Sequence, residues 1–140
     1  MYRIKLFSII FSLLAASAVC AAGEYVVIVN NSNPITELAK SEARNIFLGK
    51  KTTWANGQKI DVVVLSGGKT HEAFCSDVIN KTPSQFSTFW KTALFTGTGT
   101  PPRTAGGDSE IMSIVKRNPA AIGYINGSAA ADGVKVVTGH

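Results

Sequence analysis

Residues 65–74 read LSGGKTHEAF, and most of their side chains have a chemical use. A strand that runs into glycines before a helix presents free backbone N–H groups and the positive end of the helix dipole. Such a place takes phosphate, sulfate or a carboxylate. Gly67 and Gly68 supply the bend, Lys69 a positive charge, and Ser66 and Thr70 hydroxyl donors. A second reading stays open, that of a strand-to-helix turn which needs glycine for its backbone angles and binds nothing. A third is set aside. Gly68-Lys69-Thr70 matches the end of the nucleotide-binding P-loop, but that pattern wants another glycine at position 63, where Val63 stands.

His71 and Cys75 lie four residues apart, on one helical face and within side-chain reach. A thiol beside an imidazole can form a nucleophile pair. No orienting Asn or Asp is legible from spacing, and two side chains are too few ligands for a zinc site. Phe74, Val78 and Ile79 surround Cys75 on the apolar side, so the expectation is a buried, reduced cysteine beside a surface histidine. The acidic residues are scattered, without a readable carboxylate pair. No enzyme, cofactor or metal is therefore expected.

These residues need elements to position them. YVVIVN (25–30) and IDVVVL (60–65) are continuous β-branched runs, the mark of buried strands. Between them SEARNIFLG predicts a short helix with Ser41 as cap, Ala43, Ile46 and Phe47 inward, and Gly49 as the stop. Asn56-Gly57 marks a turn. Thr70 is expected to cap a helix running to about Asn80. Thr82, Pro83 and Gln85 form a capping box, followed by Phe86, Phe89, Trp90, Ala93 and Leu94 along one face.

TGTGTPPRTAGG (96–107) reads as a long loop that can bring Arg103 and the Thr98 hydroxyl toward the anion, or else stays on the surface. Asp108 then caps a helix carrying Ile111, Ile114 and Val115, and AAIGYI (120–125) and VKVV (134–137) close the series as strands. Alternating strands and helices with continuous apolar strands predict an α/β sheet covered on both faces.

The first residues form a separate problem. Arg3 and Lys5, an apolar run from Leu6 to Leu14 and then small residues make the order of a secretory signal, with cleavage after Ala21 or Ala22. Lipid attachment at Cys20 is the other possibility there, opposed by the bulk of Val19. The expected division is a leader at 1–22 and one domain at 23–140, exported to the periplasm. The whole chain of 140 residues carries +5; without Arg3 and Lys5, 12 basic residues face 9 acidic ones, leaving +3. This surplus is spread out, with no basic block interleaved with aromatics, so nucleic acid is not an expected partner.

NIFLGKKTTW (45–54), the strand–glycine loop–helix ending in Phe74, and NPAAIGYI (118–125) together resemble the periplasmic phosphate-binding proteins of ABC transporters. In that family two α/β lobes of the type 2 periplasmic-binding fold close on an anion. The resemblance covers nearly all of the chain after the leader, but only about the central part of the family's length. It implies a single lobe, with a mainly parallel or mixed sheet flanked by helices. Aligned on Phe74, Gly67, Gly68 and Lys69 fall on the family's Gly-Ser-Gly, and Thr70 and His71 on its paired threonines. Ser66 stands where the family has an acidic residue, and Val64 where it has arginine.

The acidic residue lets the family accept a protonated phosphate hydroxyl, and the arginine is a bidentate anchor that Lys69 replaces only as a point charge. The implied function is a solute-binding protein for a small oxyanion, phosphate first, associated with ABC-type transport. The implied site is Ser66, Gly67, Gly68, Lys69, Thr70 and His71, with Arg103 joining from the long loop. The alternative is a non-catalytic interaction module with a degraded pocket, docking on a membrane transporter or sensor.

Overall fold

The computed structural model describes residues 24–137. The leader expected at 1–22 lies outside them. Along the chain come β1 (Val26–Asn30), α1 (Lys40–Phe47), β2 (Asp61–Leu65) and α2 (Lys69–Phe74), which continues as a π-helical turn (Cys75–Ile79). Then follow α3 (Pro83–Thr96), β3 (Arg103–Ala105), α4 (Asp108–Arg117), β4 (Ala121–Ile125) and β5 (Val134–Val136).

The five strands form one mixed sheet in the order β3-β2-β4-β1-β5. β2 runs parallel to both β3 and β4, whereas β1 runs antiparallel to β4 and β5. Three parallel strands therefore end at the same edge, where the loop after β2 begins. Side chains alternate across the sheet, so neighbours on one strand reveal what covers each face. A methyl group added at Gly123 would come within 2.7 Å of Ile111 Cγ2, which puts α4 on that face. Tyr124 points the other way, stacked on Phe74 with ring centres 3.8 Å apart and set edge-on to Phe47 at 5.8 Å. That face belongs to α1 and α2. The expected α/β layering is present.

The clusters are dense. Ile28, Val29, Val63, Phe74, Tyr124 and Ile125 are almost wholly buried, each side chain contributing about 1.5–3 kcal/mol relative to exposure. The capping box of α3 forms as expected. Gln85 N–H donates to Thr82 Oγ1 (3.1 Å), and Thr82 N–H donates to Gln85 Oε1 (3.0 Å).

Several expectations at helix ends and in the long loop are corrected. Ser41 lies inside α1, whose cap is Ala39; Gly68, not Thr70, caps α2; and Gly107, not Asp108, caps α4. Leu94 is 61% exposed and Phe95 94%, because the inward face of α3 ends at Ala93. The stretch 96–107 is not wholly loop. β3 pairs in it with β2, Arg103 level with Val63 and Ala105 level with Leu65.

Candidate functional site

β2 delivers the chain to Ser66, whose N–H donates to Ala105 C=O (2.9 Å) and so ties the loop to the end of β3. Gly68 then takes φ 95° and ψ 174°, a conformation open essentially to glycine alone, and the chain turns into α2. The first bond that closes the helix runs from Glu72 N–H to Gly68 C=O at 3.0 Å. Helix geometry thus leaves the N–H groups of Lys69, Thr70 and His71 without an intrahelical acceptor. Ser66, Gly67, Gly68 and Lys69 are exposed, and Thr70 is half-buried.

Asn126, just past the end of β4, ties the edge together. Its Nδ2 donates to Thr70 Oγ1 (3.3 Å) and its N–H to the Asp108 carboxylate (3.2 Å). Glu110 accepts from Gly106 N–H at 2.8 Å. The start of α4 therefore already has its own carboxylates, while the start of α2 faces outward. A hollow of about 510 Å³ lies there, lined by Lys69, Thr70, Asn126 and Ser128 together with Glu24, Glu72 and Ala73. One ammonium group stands against two carboxylates, so an anion placed there would depend mainly on backbone dipoles and hydroxyls.

The loop residues Ser66 to Thr70 share this edge, and of them Lys69 and Thr70 line the hollow while Ser66, Gly67 and Gly68 stand exposed outside it; His71 and Arg103 do not join them. His71, expected at the surface, is 7% exposed. Leu65 N–H donates to Tyr124 Oη (3.1 Å), and the Tyr124 hydroxyl lies 2.5 Å from His71 Nδ1. With Leu65 N–H donating to the phenol oxygen, a neutral imidazole that accepts the Tyr124 proton at Nδ1 gives each of these groups a partner. In that tautomer the imidazole proton sits on Nε2, which lies 3.6 Å from Cys75 Sγ. Burial holds the His71 pKa below its ordinary value of 6.5, against a weaker opposing pull from Glu72. Burial also pushes the Cys75 thiol up to about 11, and raises Tyr124. Cys75 is free and buried, as expected. A thiol held protonated beside a neutral imidazole is a poor nucleophile.

Arg103 opens β3, and its Nη2 lies 3.3 Å from Asp61 Oδ2, at the first residue of β2. The glycine loop is at the other end of that strand, about 13 Å away by strand rise. The Thr98 hydroxyl is likewise engaged, within 3.1 Å of Thr96 Oγ1 and 3.4 Å of Ala93 C=O. Sequence reasoning missed Asn126 and Tyr124. The Asn126-Gly127 pair after a strand was a usable signal for the former; for Tyr124 only its burial in an otherwise aliphatic strand hints at a partner for its hydroxyl.

No protein-family model matches the sequence, and comparison with curated proteins finds no match either. Solved structures do match. A protein of Clostridium perfringens described as a phosphate ABC transporter substrate-binding protein, with bound phosphate, is 27% identical, with a TM-score of 0.64 over 81% of this chain and 44% of its own. The fold is that of one periplasmic-binding-protein lobe. An ABC-type phosphate transport receptor of Vibrio cholerae (21% identical, TM-score 0.57) covers 81% of this chain and 45% of its own. PstS of Borrelia burgdorferi (15%, 0.61) covers 82% and 46%. The chain thus spans less than half the length of each. Among the described residues no helix is long and apolar enough to cross a membrane, and no group of three His, Cys, Asp or Glu is placed to hold a metal ion.

Proposed function

We propose that the chain is an exported, non-catalytic binding lobe for a small oxyanion, phosphate first, acting with an ABC-type transporter in the periplasm. In this reading residues 1–22 are the export leader and residues 23–140 the binding domain. The observation that carries it is the β2–α2 junction. A glycine turn and free helix N–H groups stand at the carboxyl ends of parallel strands, the edge where open α/β sheets bind ligands. The likeness to a structure with bound phosphate supports the choice of anion. The proposed contacts are the N–H groups of Gly67 to Thr70, the Ser66 and Thr70 hydroxyls and the Lys69 ammonium, with Asn126 and Ser128 beside them. His71 and Arg103 are left out because of where they lie, His71 buried against Tyr124 and Arg103 beside Asp61 at the far end of β2.

Calorimetry of the purified protein against phosphate, sulfate and acetate tests this. Phosphate is expected to bind most tightly of the three. Heat from none of them would overturn the reading and favour the second one, a docking module. That alternative is supported by Leu94 and Phe95, which stand exposed side by side at the end of α3.

A further inference from the structure

A second hollow, near 280 Å³, opens at the other end of β2, away from the glycine loop. It lies just under the roughly 300 Å³ at which ligand sites begin. Lys51, Lys59 and Arg103 stand around it, and Ile46, Ile60 and Trp90 contribute apolar surface. Its one carboxylate, Asp61, is already engaged, accepting from Asn118 Nδ2 (2.7 Å) and meeting Arg103. Arg103 gives Asp61 a single nitrogen and its side chain is 55% exposed, which leaves guanidinium donors for another anion.

Trp90 adds an independent sign. Its indole N–H is buried without a hydrogen-bond partner among the described residues, whereas Trp54 Nε1 donates to Ala120 C=O at 2.9 Å. Buried donors are rarely left unpaired, so this indole is a group whose partner the described chain does not supply. The ring is also held closely. A methyl at Gly49 would come within 2.8 Å of its Cη2, and one at Gly99 within 3.1 Å of its Cζ3. Thr98 N–H donates to Ala93 C=O (2.9 Å), fixing the segment that carries Gly99. The wall is built rather than loose.

We propose that this hollow binds a small amphipathic carboxylate, its apolar body against Trp90 and Ile60 and its acid group on Arg103 with Lys51 and Lys59. The apolar surface would be wasted on a bare inorganic anion, and the cationic rim disfavours an amine. The test is an NMR titration of the ¹⁵N-labelled protein with phenylacetate, with phenylacetamide as the neutral isostere and inorganic phosphate as the bare anion. Trp90→Phe assigns the two indole N–H signals.

Phenylacetate should move the Trp90 signal to saturation and leave that of Trp54 in place. Phenylacetamide and phosphate should act at least about tenfold more weakly, and Arg103→Gln should weaken phenylacetate by about tenfold. Lys59→Gln should also weaken it, and serves if Arg103→Gln does not fold. Lys69→Ala with Thr70→Ala should change nothing here, which separates this site from the proposed oxyanion site. An unmoved Trp90 signal, equal binding of the amide or of phosphate, or unchanged affinity in the folded rim variants would overturn the proposal.

Discussion

The two sides of α2 differ sharply although residues 66–75 carry both. Its outer start, Ser66 to Thr70, is largely solvated and held by a few bonds at the sheet edge. Its inner side, His71 and Phe74 with Cys75 just beyond, is buried against Tyr124, Phe47 and Tyr25. The inner side anchors the helix to the core, and the outer side is open to solvent where the proposed site lies. Stability and binding should therefore separate along this one short helix, and each experiment below breaks or sharpens that separation.

The largest effect is expected on the inner side. Phe74→Ala removes a ring packed on three others and leaves a cavity, and should lower unfolding free energy by about 3–5 kcal/mol in a denaturant titration. A loss under about 1 kcal/mol would mean the inner side does not anchor the helix. Tyr124→Phe keeps the ring but strips the hydroxyl from between Leu65 N–H and His71 Nδ1. Leaving those groups unpaired should cost about 1–3 kcal/mol by the same measurement.

A pH effect follows from the burial of His71. Its native pKa lies below the ordinary 6.5, so the unfolded chain takes up a proton that the native state resists. Above that pH both states are neutral and the group contributes no slope. As pH falls below 6.5, stability should decline until the native pKa is passed. Unfolding curves between pH 7.5 and 5, on the order of a pH unit either side of that value, should show this decline in the wild type and less of it in His71→Gln. Equal slopes would remove His71 from the account.

The smallest effect belongs to the outer side. Glu72→Gln removes one carboxylate from the hollow beside Lys69 and should tighten phosphate binding by about two- to fivefold at low salt, less at high salt. Its effect on stability should stay within about 0.5 kcal/mol.

What the sequence reveals of this fold depends on whether the signal is local. The β-branched runs of β1 and β2, the capping box at Thr82 and the burial of Cys75 each rest on neighbours in sequence, and each is found. β3 was not legible, because a three-residue strand among Gly, Thr and Pro owes its existence to pairing with β2. The helix starts at Ser41, Thr70 and Asp108 were misplaced by one or two residues. Good capping side chains stood just inside helices whose actual caps, Ala39, Gly68 and Gly107, use backbone geometry alone.

The burial of His71 has a local signal. It lies four residues from a cysteine assigned to the core, so the same helical face carries both. The meeting of Asn126 with Thr70, and of Arg103 with Asp61, spans 56 and 42 residues of chain respectively, and nothing in the sequence announces either. The exposed loop is legible as an anion-binding candidate from its glycines and its place before a helix, and Glu72 stands in the same stretch, but the approach of Glu24 to the hollow is not.

The central claim is that the start of α2 binds an oxyanion, and the most direct measurement is calorimetric titration of phosphate into the wild type and into Lys69→Ala with Thr70→Ala. An open, solvated hollow with opposing carboxylates should bind phosphate at millimolar to high micromolar levels, about 4 to 6 kcal/mol. The double variant should lose that binding while its unfolding free energy changes by about 1 kcal/mol or less, since one side chain is exposed and the other gives up a single hydrogen bond. The same phosphate affinity in the variant as in the wild type would contradict the claim.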